Sequence, residues 1–330
     1  VNDQSVEARV ARFVEAYNAA REQIERVVVG QRDVVDGVLT AIFASGHVLL
    51  EGVPGLGKTS LVRAVAETLR LDFKRVQFTP DLMPSDVTGT RVLVESADGR
   101  REFEFQKGPL FANLVLADEI NRASPRTQSS LLEAMQEGSV SDGVTTYQLD
   151  PPFFVMATQN PLDMEGTYPL PEAQLDRFLF KLIVPFPTAD TLAAILERTT
   201  ANEPPHASPV LERDAIIEHQ RLAREVVIAS HVRDYVIRLT LATHPDSEHA
   251  PDSVREYVEY GASPRGAQAL ELAAKVRALT DGRLNVDFDD VRSVALPALR
   301  HRVLLNFEGS AERVVTDTLV ADVLSAAQVG

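Results

Sequence analysis

A chain of 330 residues, 45% hydrophobic and 25% charged, is long enough for two globular domains and has the balance of a water-soluble protein. With 33 Lys+Arg against 48 Asp+Glu its net charge is −15, which disfavours phosphate-backbone binding, and the basic pairs Lys74-Arg75 and Arg100-Arg101 are short and scattered. It has no cysteine for disulfides or thiolate metal sites, no apolar run long enough to span a membrane and no apolar leader, so the expected setting is the cytoplasm.

The first 45 residues read as helix: Val6, Val10, Phe13, Val14 and Tyr17 recur at helical spacing, Gly30 interrupts, and a second helical run covers about 32–44. Five near-continuous apolar runs follow as expected strands, at 47–51, 75–79, 113–117, 153–158 and 178–186. Amphipathic helices fit between them; Thr59 to Leu69 places Leu61, Val62, Val65, Ala66 and Leu69 on one face. Strands that are apolar on both faces and alternate with helices predict an α/β fold with a five-stranded parallel sheet between helical layers. Two insertions read as hairpins. Val92–Glu95 and Glu102–Phe105 flank Ser96-Ala97-Asp98-Gly99, and Ser139–Ser141 and Val144–Tyr147 flank Asp142-Gly143. Beyond Phe186 the strands are expected to stop. A Pro-rich breaker at 202–209 precedes helical runs at 212–243, 264–280 and about 287–305, so the expected division is an αβα core over 1–187 and an all-α domain over 188–330.

Gly52-Val53-Pro54-Gly55-Leu56-Gly57-Lys58-Thr59 is a G-x-x-x-x-G-K-[ST] segment that follows a strand and opens a helix. Its glycines let successive backbone N–H groups face one concavity at a helix N-terminus, where phosphate oxygens bind. Gly52, Pro54, Gly55, Leu56, Gly57, Lys58, Thr59 and Ser60 are the expected nucleotide contacts. Lys58 reaches the β- and γ-phosphates and the Thr59 hydroxyl holds Mg²⁺. The partner for that ion is Asp118, at the end of the apolar run Leu114-Val115-Leu116-Ala117, because ligands of open α/β sheets gather at the C-terminal strand ends. Glu119 then stands as the base for an attacking water, which argues for ATP hydrolysis and against transfer to a metabolite. Asn160, at the tip of the next strand, either orients that water or the γ-phosphate, or simply forms a turn before Pro161. The segment Asn160-Pro161-Leu162-Asp163 lacks the lysine of a guanine-reading N-K-x-D, which favours ATP over GTP. Arg177, before the fifth strand, and Arg265, in a helix capped by Ser263 and begun by Pro264, are by position alone either phosphate contacts or ordinary surface charges. The histidines show no compact zinc spacing; His244 and His249 are separated by Pro245.

Together these motifs resemble the MoxR family of AAA+ ATPases, from Val28 to about Gly309. The likeness is carried by Val29-Gly30-Gln31, the P-loop, Phe78-Thr79-Pro80-Asp81, Asp118-Glu119-Ile120-Asn121-Arg122-Ala123, Ala157-Thr158-Gln159-Asn160-Pro161, Glu172-Ala173-Gln174-Leu175-Asp176-Arg177-Phe178 and Gly261-Ala262-Ser263-Pro264-Arg265. The resemblance implies a P-loop core followed by a helical lid, with nucleotide at the subunit interfaces of a hexameric ring. It implies that Val29, Gly30 and Gln31 line the adenine, Asn160 is sensor 1, Arg177 is an arginine finger for a neighbour's ATP, and Arg265 is sensor 2. On that reading Arg265 is expected to reach back to the nucleotide of its own subunit. The hairpins resemble the helix-2 and pre-sensor-1 inserts of this clade, and Gln77 is the candidate polar residue that switches Glu119. The family implies chaperone-like remodelling of protein clients, beside a separate chain with a von Willebrand factor A domain. Other readings are the ATPase subunit of a magnesium chelatase, a DNA-linked AAA+ motor and a small-molecule kinase. The acidic charge and the lack of a GAFTGA loop around Asp86-Val87-Thr88-Gly89-Thr90 oppose the motor; the Asp118-Glu119 pair and the lid oppose the kinase.

Overall fold

The structure is a computed structural model that describes residues 5–95, 101–161, 166–200 and 205–327. The five apolar runs form one parallel sheet from β1 (Val48–Glu51), β2 (Phe73–Gln77), β3 (Leu114–Asp118), β4 (Phe154–Gln159) and β5 (Phe180–Ile183), in the order β2-β3-β4-β1-β5. β3 is buried along its whole length, as a central strand covered on both faces should be. β2 lies at the edge and exposes Lys74, Arg75 and Gln77, so its residues are not a continuous apolar run. That explains why the expected range of 75–79 sits two residues late: Phe78 is buried but lies past the strand.

Alternate side chains take opposite faces. Val48, Leu50, Leu114, Leu116, Met156 and Leu182 pack with α1 (Val6–Val27), α2 (Arg32–Phe43) and α3 (Lys58–Thr68). Leu49, Val115, Ala117 and Val155 pack under α4 (Pro125–Glu137). The helix signals are local. The Ser5 hydroxyl accepts from the Ala8 N–H at 3.3 Å, and Val10, Phe13, Tyr17, Ala20 and Ile24 form the buried stripe of α1. Ser124 caps α4, Pro125 begins it, and Gly138 ends it at φ 61°.

Both hairpins form, from Gly89–Glu95 with Arg101–Lys107 and from Ser139–Ser141 with Thr146–Gln148. The expected turn at Ser96-Ala97-Asp98-Gly99 lies outside the described residues, as do Leu162, Asp163 and the first part of the Pro-rich breaker. The second turn is wider than an Asp-Gly pair: it spans 142–145, with the Asp142 N–H donating to the Thr145 carbonyl at 3.1 Å. The two hairpins pack on each other. Phe105 and Tyr147 stack with centroids 4.2 Å apart, and Arg91 Nε donates to the Asp142 carboxylate at 2.7 Å.

After β5 the chain enters α5 (Ala189–Thr199), then α6 (Arg213–Glu225), α7 (Ser230–Ala242), α8 (Pro264–Thr280), α9 (Phe288–Leu299) and α10 (Thr316–Ala326). Two expected helical runs are interrupted. The run at 212–243 breaks at 226–229, where β-branched residues extend and Val227 bridges to Asn285. The run at 287–305 ends at Leu299, and Leu304–Leu305 pairs antiparallel with Val258–Tyr260, so strands do not stop altogether at Phe186. The second half is otherwise helical. Its central helix, α8, packs on α6, α7 and α9 and also on α1 and α2 of the core. Among the described residues no helix is long and apolar enough to cross a membrane.

Candidate nucleotide site

β1 runs directly into the glycine-rich loop, and α3 starts at Lys58. Gly55 and Gly57 have φ of +84° and +77°, a left-handed backbone that side chains disfavour; neither position is crowded, so the conformation itself selects glycine. Lys58 Nζ folds back onto the carbonyls of Gly52 at 2.6 Å and Val53 at 3.3 Å. Partial burial lowers its pKa, while Asp118, Glu119 and Glu51 pull it back up. Thr59 and Ser60 occupy the first turn of α3.

The segment Val29-Gly30-Gln31 lies beside this loop. Gln31 Nε2 donates to the Leu56 carbonyl at 3.0 Å, and its buried Oε1 has no hydrogen-bond partner among the described residues. Gly30 and Gln31 also line a cleft of about 670 Å³ between α2, β5 and lid helices α8 and α9, in the size range of nucleotide and cofactor sites.

Parallel register sets the rest of the site. Gln77 lies opposite Asp118, Ala117 opposite Ala157, and Glu51 opposite Gln159, so Asp118, Glu119, Asn160 and Gly52 gather at one edge of adjacent strands. The Asp118 carboxylate accepts from Thr158 Oγ1 at 2.7 Å and from Arg75 at 2.7 and 3.1 Å. Glu119 has a left-handed φ of 56°, a conformation costing about 1–2 kcal/mol, and its N–H donates to Thr158 Oγ1 at 2.8 Å. Its carboxylate accepts from Gln77 Nε2 at 2.8 Å and from Arg122 at 2.9 Å. Asn160 is buried. A carboxylate and a hydroxyl beside a phosphate-sized loop are hard oxygen donors that suit Mg²⁺ sharing its shell with phosphate and water.

The two remaining arginines lie elsewhere. Leu179 N–H donates to the His47 carbonyl and Phe180 pairs with Val48, so Arg177 sits at the N-terminal edge of the sheet. The four residues of β1, at about 3.3 Å each, put on the order of 13 Å of strand between that edge and Gly52. Arg177 donates to the Leu132 carbonyl of α4 at 2.6 Å. Arg265 stands beside it, donating to Gln136 at 3.2 Å with Asp176 at 3.8 Å. Both line a notch of about 230 Å³ that also takes Arg224 and Arg302, four arginines against the single carboxylate of Asp176, and no P-loop residue. The expectation that Arg265 reaches the nucleotide of its own subunit therefore fails: α8 docks behind the sheet and carries Arg265 to the far edge.

Motif reading assigns no role to Arg75, Arg122, Asp176 or Arg302, although Arg122 and Asp176 lie within quoted motifs. Thr158 lay within a quoted strand, but its grip on Asp118 and Glu119 depends on strand neighbours. Arg302 had no signal, because its partners Asp176, Phe178 and Leu179 are more than a hundred residues away.

Residues 47–180 match the family described as ATPase family associated with various cellular activities (AAA), and residues 252–323 match the AAA lid domain. The chain is 42% identical to Chaperone MoxR1 of Mycobacterium tuberculosis, over 92% of this chain and 79% of that protein. It is 46% identical to the uncharacterized protein YeaC of Bacillus subtilis, over 94% and 93% of the two chains. Identity to Protein MoxR of Methylorubrum extorquens is 33%, covering 91% of each chain. A crystal structure of a protein from Cytophaga hutchinsonii superposes with a TM-score of 0.90 at 39% identity, covering 97% of each chain.

Proposed function

The chain belongs to the MoxR family of AAA+ ATPases and hydrolyses ATP, and from that premise we propose that it works head-to-tail in a ring, each copy's ATP being cleaved with the help of Arg177 and Arg265 of the next. One observation carries this reading: the P-loop, Asp118, Glu119 and Asn160 occupy one edge of the sheet, and both arginines occupy the other. A site divided in this way becomes whole only where two copies meet through unlike faces, the contact that closes into rings.

In this scheme residues 1–187 are the nucleotide-binding core and 188–330 the lid. Lys58 neutralises the β- and γ-phosphates, and the unpaired Gln31 Oε1 offers an acceptor to the adenine amino group. Thr59 and Asp118 hold Mg²⁺, which supplies charge neutralisation at the phosphates. Glu119 takes the proton of the attacking water, oriented by Asn160; Gln77 and Arg122 hold the Glu119 carboxylate until ATP is in place. The neighbour's two guanidiniums offset charge that develops on the phosphoryl oxygens. The clients are proteins, as the name of Chaperone MoxR1 suggests for its own case, reached alone or beside a separate chain with a von Willebrand factor A domain.

Mixing two inactive variants tests the scheme. Arg177→Ala should bind ATP but not turn it over, and Lys58→Ala should do neither. Together they should regain activity that disappears on dilution, because an intact P-loop then meets an intact arginine edge. Full, concentration-independent turnover by Arg177→Ala alone refutes the divided site.

A further inference from the structure

We propose that Arg302 of the lid is a positioning residue for the arginine edge, holding the segment Asp176–Leu179 so that Arg177 and Arg265 present to a neighbouring copy's nucleotide in one orientation. The inference rests on the divided-site reading above and names the device that sets its geometry.

Arg302 follows α9, and its side chain is only 2% exposed. It donates to the Asp176 carboxylate through Nε at 2.9 Å, and to the main-chain carbonyls of Asp176 at 2.9 Å, Phe178 at 2.7 Å and Leu179 at 3.2 Å. A further bond goes to the Ala298 carbonyl at the end of α9. Burial lowers its pKa, and the Asp176 carboxylate opposes that shift. A planar fork with five N–H donors can meet four carbonyls and a carboxylate at once, which a lysine cannot. Space is reserved for it, since a Cβ on Gly266 would come within 3.1 Å of Arg302 Cδ.

Asp176 joins this anchor to both functional candidates. Its carboxylate also accepts from Ser263, the cap of α8, at 2.8 and 2.9 Å, and it lies 3.8 Å from Arg265. It is the chain neighbour of Arg177. Among the described residues Arg177 makes no ion pair: it donates to the Leu132 carbonyl, and its buried Nε has no hydrogen-bond partner. The Arg177 guanidinium is thus set by two anchors, the Leu132 carbonyl of α4 and the backbone that Arg302 grips. A buried ion pair is weak evidence for stability alone, since apolar replacements often hold a fold equally well. The carbonyl-directed geometry here fits a role in orientation.

The experiment compares Arg302→Lys with Arg177→Ala, at concentrations where mixing with Lys58→Ala restores Arg177→Ala. Arg302→Lys should bind a non-hydrolysed ATP analogue within about twofold of wild type and lose roughly 10²-fold in turnover, the scale expected from misplacing a catalytic group by about 1 Å. Mixing it with Lys58→Ala should restore turnover, because its own P-loop then meets an intact arginine edge. Mixing it with Arg177→Ala should not, because neither partner supplies one. Wild-type turnover by Arg302→Lys, loss of its nucleotide binding, or equal response to the two partners overturns the proposal. If Arg302→Lys does not fold, Asp176→Asn, which keeps the shape and the carbonyl contacts, carries the same mixing test. The two readings fail differently. Full turnover by Arg177→Ala removes the divided site, whereas an inactive Arg177→Ala beside a normal Arg302→Lys removes only the positioning role.

Discussion

His47 makes acid stability a direct probe of how the sheet is tied to α4. The residue immediately precedes β1 and is buried; its Nε2 donates to the Met135 carbonyl at 3.2 Å and its Nδ1 accepts from the Val155 N–H at 3.0 Å. Both nitrogens are committed, so a second proton would have to displace the Val155 bond, and burial lowers the pKa from 6.5 to about 4. The unfolded chain takes up that proton near pH 6.5 and the folded chain does not, so stability is complete above this window and falls as pH drops through it. Each pH unit inside the window costs about 1.4 kcal/mol, which gives about 2 kcal/mol between pH 7 and pH 5 from this one group. Burial also lowers the pKa of His219 and His301, so the wild-type slope is the sum over all three histidines. Urea denaturation at pH 5, 6 and 7 on wild type and His47→Asn measures the difference. The variant's stability should change by about 2 kcal/mol less across that interval. The interval stays above the range in which most carboxylates titrate. Equal slopes in the two proteins would refute the argument.

Glu119→Gln should retain ATP affinity and slow hydrolysis by roughly 10²–10⁴, the usual worth of a positioned base; steady-state turnover beside equilibrium binding of a fluorescent nucleotide checks it, and normal turnover assigns the base elsewhere. Asp142→Ala removes the acceptor shared by Arg91, Tyr147 and the turn N–H groups of Val144 and Thr145. Amide exchange at Val144 and Thr145 should accelerate in that variant, while exchange along β3 stays unchanged; equal exchange at the turn would mean that the Phe105–Tyr147 stack alone holds the hairpins together.

What was legible in the sequence was what short-range chemistry writes there. The P-loop, the acidic strand exit at Asp118-Glu119 and the Ser263-Pro264 helix start each depend on neighbours within a few residues, and each appears at the expected place. β2 was misplaced because an edge strand needs only one apolar face, so Phe78 drew the reading toward itself. The break at 226–229 and the ribbon at Leu304–Leu305 depend on Asn285 and Val258, partners far along the chain. Arg265 is the instructive miss. Its helix was read correctly, but no local pattern says on which side of the sheet the lid comes to rest.

The apolar cluster that runs without interruption from α1 and the upper sheet face into α8 and α9 has a mechanical corollary. A hinge needs a seam with few buried contacts, and here Val38, Leu39, Leu270 and Ala273 belong to one cluster shared by core and lid. Swinging the lid would expose several large aliphatic side chains at about 1.5–3 kcal/mol each. One charge-assisted hydrogen bond to a phosphate returns about 1.5–3 kcal/mol, so each side chain exposed needs about one such bond to offset it. The shared cluster thus favours a copy that moves as one stiff body. In the proposed ring, work released at a P-loop is transmitted through the whole body to the joint with the neighbouring copy.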